Sequence, residues 1–78
     1  MKTMTCIQLG GACNKKFQAE TFEEIAELSK QHGMEMFKEQ DVKHLEAMSK
    51  ISDLMQQPQA MKAWFKTKQD EFDALSQD

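Results

Sequence analysis

Residues 3–24, TMTCIQLGGACNKKFQAETFEE, decide the fold predicted for this 78-residue chain. Residues 3–8 are short and rich in β-branched types, which favours a strand. Leu9-Gly10-Gly11 predicts the turn, because two adjacent glycines supply the positive φ angles that tight hairpin turns need. Residues 12–19 then return as the second strand. A two-stranded ribbon is marginal by itself, so we expect it to pack on helices.

The remainder of the chain predicts three helices. Thr21 opens a capping box, in which its hydroxyl accepts from the Glu24 amide while the Glu24 carboxylate reaches back. Asp41 has the place of an N-cap for the second helix, and Pro58 suits the first position of the third. The predicted helices span about residues 22–38, 42–56 and 58–75.

Each predicted helix carries an apolar face that we expect to turn inward. The face of the first helix comprises Phe22, Ile25, Ala26, Ser29, Gly33, Met36 and Phe37, with Leu28 and His32 at its edge. The face of the second comprises His44, Ala47, Met48, Ile51, Leu54 and Met55, and that of the third Met61, Trp64, Phe65, Phe72 and Leu75. Because this periodicity resumes after Gly33, we expect one long first helix. The predicted fold class is α+β, mostly α: an N-terminal two-stranded β-hairpin packed on three α-helices, in a single domain of residues 1–78.

Charge and hydropathy exclude several classes of function. The net charge is −3 and the pI is near 5.3, which argues against binding to nucleic acid or to an anionic membrane surface. No apolar targeting segment follows the first residues, and no run approaches the roughly 20 apolar residues of a membrane helix. We therefore expect a cytoplasmic protein with reduced cysteines. A chain this short usually needs a disulfide, a metal ion or a partner subunit for its stability. Its helical faces are therefore candidate surfaces for a second copy or another protein.

Cys6 and Cys13 are the first candidates for chemistry. A four-residue hairpin loop, residues 8–11, would place them opposite each other, whereas a loop of Gly10-Gly11 alone would pair Cys6 with Lys15. Three interpretations stay open: buried thiols that only pack, a disulfide, and two ligands of a zinc ion. The spacing of six residues between the cysteines is not one of the standard zinc spacings.

His32 is the candidate third ligand, since it borders the helix face that should cover the hairpin. Two thiolates with an imidazole form a zinc-ligand set, Cys6, Cys13 and His32, which lacks a fourth protein ligand. Asn14, Gln18 and Glu20 are weak substitutes for it. His44 is expected to be a neutral, core-facing histidine, because the N-terminal end of a helix disfavours a positive charge.

The N-terminal half of the chain resembles a family of small bacterial proteins, domain of unknown function 1059. The matching residues are the run 1–6, Leu9-Gly10-Gly11 with Cys13, Phe17 with residues 19–24, and His32-Gly33-Met34. The resemblance implies a small soluble bacterial protein. It implies no particular activity, because none is assigned to the family. Relatives often have an acidic residue at Asn14 and many have a second histidine at Met36.

The sequence contains no complete catalytic constellation, and it lacks a phosphate loop, a nucleophile elbow and a His-Glu-x-x-His motif. The favoured hypothesis is a non-enzymatic interaction or structural module. A zinc-binding module built on Cys6, Cys13 and His32 is the second hypothesis. A thiol redox or stress-response protein is the third.

Overall fold

A two-stranded antiparallel hairpin precedes three helices, so the predicted α+β, mostly α fold is confirmed. The computed structural model describes residues 1–78. The strands are β1, Lys2–Thr5, and β2, Lys16–Ala19. The helices are α1, Phe22–Glu39, α2, Val42–Met55, and α3, Pro58–Ala74. α1 packs on β2 and on α2, and α2 packs on α3.

The hairpin strands are shorter than the sequence predicts, and the loop between them is longer. Met4 pairs with Phe17, and the same register puts Cys6 opposite Lys15, whose carbonyl accepts from the Cys6 amide at 2.8 Å. Of the two predicted registers, the one that pairs Cys6 with Lys15 is therefore confirmed. The sequence predicts a first strand that extends to residue 8 and a second that starts at residue 12. In the structure the first strand ends at Thr5 and the second starts at Lys16, so those two predicted ends are wrong. The Cys6 carbonyl accepts from the amides of Leu9 and Gly11, which turns the chain out of the ladder at that point.

Gly10 gives this loop its turn. A short 3₁₀ turn, Ile7–Leu9, follows Cys6, and Gly10 ends it with a φ of 91°. Only glycine adopts that left-handed conformation at low cost. A side chain at Gly10 would also meet Ile51 of α2 at 3.0 Å and Trp64 of α3 at 3.3 Å. The loop therefore lies directly against both C-terminal helices.

The predicted helix-start signals are found where the sequence places them. The Thr21 hydroxyl accepts from the Glu24 amide at 3.2 Å, and it donates to the Glu24 carboxylate, which replaces the expected bond to the Thr21 amide. Asp41 caps α2 by accepting from the His44 amide at 3.1 Å. Pro58 is the first residue of α3. These local features fix the residue at which each helix begins.

The apolar core lies between the hairpin and the first half of α1. Its members are Met4, Cys6, Leu9, Phe17, Ala19, Phe22, Ile25 and Phe72. Phe72, near the end of α3, packs edge to face on Phe22 with ring centroids 6.0 Å apart. The ammonium of Lys2 donates to the Phe72 and Asp73 carbonyls, both at 3.1 Å. The C-terminal end of α3 is therefore attached to β1.

Several residues predicted to turn inward do not. Phe37 is 64% exposed, Met55 is 58% exposed and Phe65 is 44% exposed. α1 runs unbroken through Gly33 for 18 residues, about 27 Å, whereas each strand has four residues and covers only about 13 Å. The C-terminal half of α1 therefore extends beyond the hairpin, and Phe37 has nothing to pack on.

Candidate metal centre

Four side chains from three parts of the chain converge on one point. Cys6 and Cys13 come from the hairpin loop, His32 comes from α1 and His44 from α2. One donor atom of each lies within 4.8 Å of one donor atom of every other. The Cys13 sulfur is 3.2 Å from His32 Nε2, and the Cys6 sulfur is 3.6 Å from His44 Nε2. This is a two-cysteine, two-histidine cluster.

The hairpin loop positions both sulfur atoms. The Ile7 amide donates to the Cys13 carbonyl at 3.1 Å, which brings Cys13 back beside the end of β1. A Cβ atom at Gly11 would lie 2.1 Å from the Cys6 sulfur, where no atom fits. The predicted glycine pair therefore has two uses: Gly10 turns the chain, and Gly11 leaves room for the thiol.

His32 faces the hairpin from the middle of α1. It is 7% exposed, so it lies within the interior and not at the margin that the sequence indicates. Its ring meets Phe17 of β2 edge to face, with centroids 5.7 Å apart, and meets His44 with centroids 5.2 Å apart. These contacts direct Nε2 toward the sulfur atoms.

His44 is oriented by the residue that caps its helix. Asp41 Oδ2 accepts from the His44 amide at 3.1 Å and is 2.5 Å from His44 Nδ1. That carboxylate holds the ring so that Nε2 points at Cys6. A carboxylate on the far nitrogen of a ligating histidine is the usual outer-shell partner in metal sites, where it fixes the ring and raises its basicity.

The hydrogen bond between these two residues shifts both of their pKa values. It holds the pKa of the Asp41 carboxyl below its ordinary value. It also raises the pKa of His44, because its effect exceeds the opposing effect of burial. The sequence-based expectation of a neutral His44 neglected this carboxylate. Burial, with the adjacent His44 charge, lowers the pKa of His32.

The two thiols differ in their environments. Burial raises the pKa of Cys6, which is 3% exposed. Burial also acts to raise the pKa of Cys13, but the nearby Lys15 backbone and the His44 imidazole outweigh it and lower the value. Both cysteines are free thiols in this structure. A metal ion would replace the protons on both, because thiolates are the ligating form.

The donor set and its spacing suit zinc. Zn–S and Zn–N bonds of about 2.3 Å and 2.0 Å in a tetrahedron put the donor atoms roughly 3.3–3.8 Å apart. The two measured sulfur–nitrogen distances, 3.2 Å and 3.6 Å, lie at that spacing. The widest pair, at up to 4.8 Å, would close by about 1 Å on binding. Two thiolates with two imidazoles are also an established ligand set for structural zinc.

The fourth donor is the residue that the sequence analysis missed. The structure brings together the three predicted ligands, Cys6, Cys13 and His32. His44 is the fourth member of the cluster. The sequence analysis had considered only Asn14, Gln18 and Glu20 for that fourth position. Asn14 is exposed, Gln18 bonds to Thr3 and Asp78, and Glu20 lies beside the N-terminal ammonium. The spacing Asp41-x-x-His44 was the available signal. An N-cap carboxylate three residues before an inward histidine can hold that histidine's ring.

An open groove adjoins the cluster of two cysteines and two histidines. It lies between α1, α2 and α3, has a volume of about 620 Å³, and is lined in part by Cys6, His32 and His44. We call it the helical groove and define it by Ala26 of α1, Ile51 and Met55 of α2, and Trp64 and Phe65 of α3.

Comparison of the chain with protein-family models, curated proteins and solved structures finds no match. The resemblance to domain of unknown function 1059 therefore stays a prediction from the residues. None of the three helices combines the length and the apolar character needed to cross a membrane. The functional argument depends on the geometry of the four donors and of the groove.

Proposed function

We propose that this protein is a zinc-stabilised structural module in which Cys6, Cys13, His32 and His44 bind one zinc ion. The observation that supports it is the convergence of these four donor atoms within 4.8 Å. The chain has only two cysteines and two histidines, and all four take part. Such convergence from the hairpin loop, α1 and α2 would be an unlikely result of packing alone.

The proposed zinc would be structural and not catalytic. Catalytic zinc sites keep one position open for water or substrate, whereas four protein ligands close the coordination sphere. The ion would fasten the ten-residue loop, residues 6–15, to α1 and α2. The proposed role is therefore non-enzymatic: zinc holds the hairpin and helices in the arrangement that forms the helical groove. A reducing compartment such as the cytoplasm would keep both thiols available.

Native mass spectrometry of untagged protein, purified with reductant and without chelator, tests zinc binding directly. We expect a mass one zinc ion above that of the apo chain. X-ray absorption at the zinc edge should then resolve two sulfur and two nitrogen ligands, at about 2.3 Å and 2.0–2.1 Å. A bare reduced mass after equilibration with zinc would contradict the proposal.

Two variants make the ligand assignment specific. His44→Ala should lose zinc or replace one nitrogen ligand by a water oxygen, and its affinity should fall. Asn14→Ala is the matched control, because Asn14 adjoins Cys13 in the sequence but is exposed and outside the cluster. It should keep two sulfur and two nitrogen ligands. An unchanged ligand set in His44→Ala would remove His44 from the site.

The thiol redox hypothesis predicts a different mass. If Cys6 and Cys13 serve as a redox pair, oxidation by dissolved oxygen during purification without reductant should join them in a disulfide. The protein should then be two hydrogen atoms lighter and should carry no metal. An imidazole beside a thiol can activate it by lowering its pKa, and the pKa of Cys13 is lowered in part in this way. Burial nevertheless raises the pKa of Cys6, although His44 Nε2 lies 3.6 Å from its sulfur, and a redox pair gives no role to the carboxylate behind His44. The metal proposal gives a role to both imidazoles and to that carboxylate.

A further inference from the structure

The helical groove leaves most of the apolar surface of α2 and α3 without a covering layer. His44 is the only buried residue of α2 and Phe72 the only one of α3. Ile51 and Trp64 are half-buried, and Phe65 is 44% exposed. A contiguous apolar surface of this kind on a small domain marks an interaction site, and domains below about 80 residues often complete their cores by association.

At the end of the groove that adjoins a small second pocket, α1 carries acidic side chains and α3 carries a lysine. Glu23 and Glu27 lie along the α1 edge, one turn apart, and both are exposed. Lys66 of α3 lies on the opposite side of the adjoining pocket, next to Phe65. Lys30 follows on the α1 edge at its far end. The Lys66 ammonium is 3.4 Å from Asp70 in an exposed pair, and such a pair contributes little and leaves the lysine available.

This arrangement of charge is self-complementary. A strongly acidic or strongly basic partner would meet like charge along one edge of the groove. A second copy, related by a two-fold axis that lies between the facing grooves and runs parallel to their long direction, puts the acidic α1 edge of each chain against the Lys66 edge of the other. Isologous contacts of this type are the commonest way in which identical chains pair, and matched charges set their register.

We propose that two copies of this chain pack groove against groove about a two-fold axis, so that Phe65 and Met55 of each chain become buried in the other. The inference goes beyond the zinc proposal and depends on different side chains. Zinc content is therefore measured on every sample, so that loss of the metal and loss of the dimer are separate results.

Sedimentation of the zinc-loaded full chain from 1 to 500 µM, roughly the range over which small interfaces dissociate, tests the association. We expect a concentration-dependent dimer. Phe65→Glu should weaken it roughly tenfold or more, as for a central aromatic contact. Phe37→Glu is the matched control: Phe37 is 64% exposed and lies outside the groove, so its dimer should be unchanged. A monomer at every concentration overturns the proposal, as does a dimer that Phe37→Glu dissociates and Phe65→Glu does not.

A charge exchange tests the two-fold arrangement itself. The double variant Glu23→Lys with Glu27→Lys, and the single variant Lys66→Glu, should each associate more weakly than the natural chain, because both contacts of each homodimer become repulsive. In an equimolar mixture both contacts of the mixed dimer are attractive. Native mass spectrometry separates the species by mass and should show the mixed dimer in clear excess over the two-to-one ratio to each homodimer that random pairing alone gives. A mixture with no such excess, while both variants retain zinc, overturns the proposal.

Discussion

The hairpin and α1 contain most of the buried side chains, whereas the apolar side chains of α2 and α3, apart from Phe72, are half-buried or exposed. All but two of the ten buried residues, His44 and Phe72, lie in the first 39 positions. Both exceptions contact the first half: His44 at the metal centre and Phe72 against Phe22. The difference shows that the first half contains the core, and that α2 and α3 each add one buried side chain to it, while Ile51 and Trp64 also lie against Gly10.

Removal of zinc should have the largest effect on this contrast. Structural zinc contributes an apparent binding free energy of about 10–16 kcal/mol in zinc-finger peptides, more than any side chain of this core. In the zinc-loaded protein, the amides of β1, β2 and the first half of α1 should exchange most slowly. After a strong chelator removes the zinc, these amides should exchange as fast as the amides of α2 and α3, as measured by hydrogen exchange. Unchanged protection of the hairpin after chelation would contradict the structural role of the metal.

The same truncation in the two halves should differ in cost. Ile25 is fully buried and Ile51 is half-buried at the groove. Ile25→Ala should lower the free energy of unfolding by about 2–5 kcal/mol. Ile51→Ala should cost roughly half of that or less, because less apolar surface returns to water. Denaturant unfolding at low micromolar concentration, below the proposed association, measures both. Equal costs would show that the groove is already a closed core.

Two glycines provide a smaller and more local comparison. Gly11→Ala puts a methyl group 2.1 Å from the Cys6 sulfur, so the loop must shift. Overpacking of this kind costs about 1–3 kcal/mol, and zinc affinity should fall with it. Gly33→Ala meets only Met48 Cε at 3.6 Å, an ordinary contact, and should stabilise α1 by about 0.5–1 kcal/mol. Thermal unfolding with and without chelator measures both variants, and a tolerated Gly11→Ala would argue against the loop geometry.

Asp41→Asn isolates the carboxylate behind His44. Asparagine caps helices about as well as aspartate, so α2 should keep its start, and the helix content in the presence of chelator should be unchanged. Loss of an outer-shell partner typically lowers metal affinity by about 10–100-fold. Competition with a chromophoric zinc chelator measures that change. The cap variant Thr21→Asn is the control, since Thr21 caps α1 away from the metal centre, and its zinc affinity should be unchanged.

The elements were predictable because their signals are local. Thr21, Asp41 and Pro58 each mark a helix start through bonds or backbone limits within a few residues. The paired glycines mark the loop for the same reason. The strand ends were not predictable in this way. The amides of Leu9 and Gly11 bond to the Cys6 carbonyl and displace the expected ladder, and no residue type in the loop marks those backbone bonds.

The fourth metal donor and the open groove depend on contacts between distant parts of the chain. His44 reaches Cys6 across 38 positions, and no spacing rule relates the two. Periodicity correctly identified an apolar face on each helix, but it does not report whether another element covers that face. Phe37, Met55 and Phe65 were therefore predicted to be buried and are exposed.

The hairpin loop borders both the metal centre and the helical groove. Cys6 and Cys13 are proposed zinc ligands, and Gly10 between them lies against Ile51 and Trp64, which line the groove. If zinc changes how this loop packs on the groove, the two proposed binding events are linked, and linkage is reciprocal. The factor by which zinc tightens the pairing of two chains must equal the factor by which pairing tightens zinc. A cell's free zinc concentration would then set, through this loop, the fraction of chains that are paired.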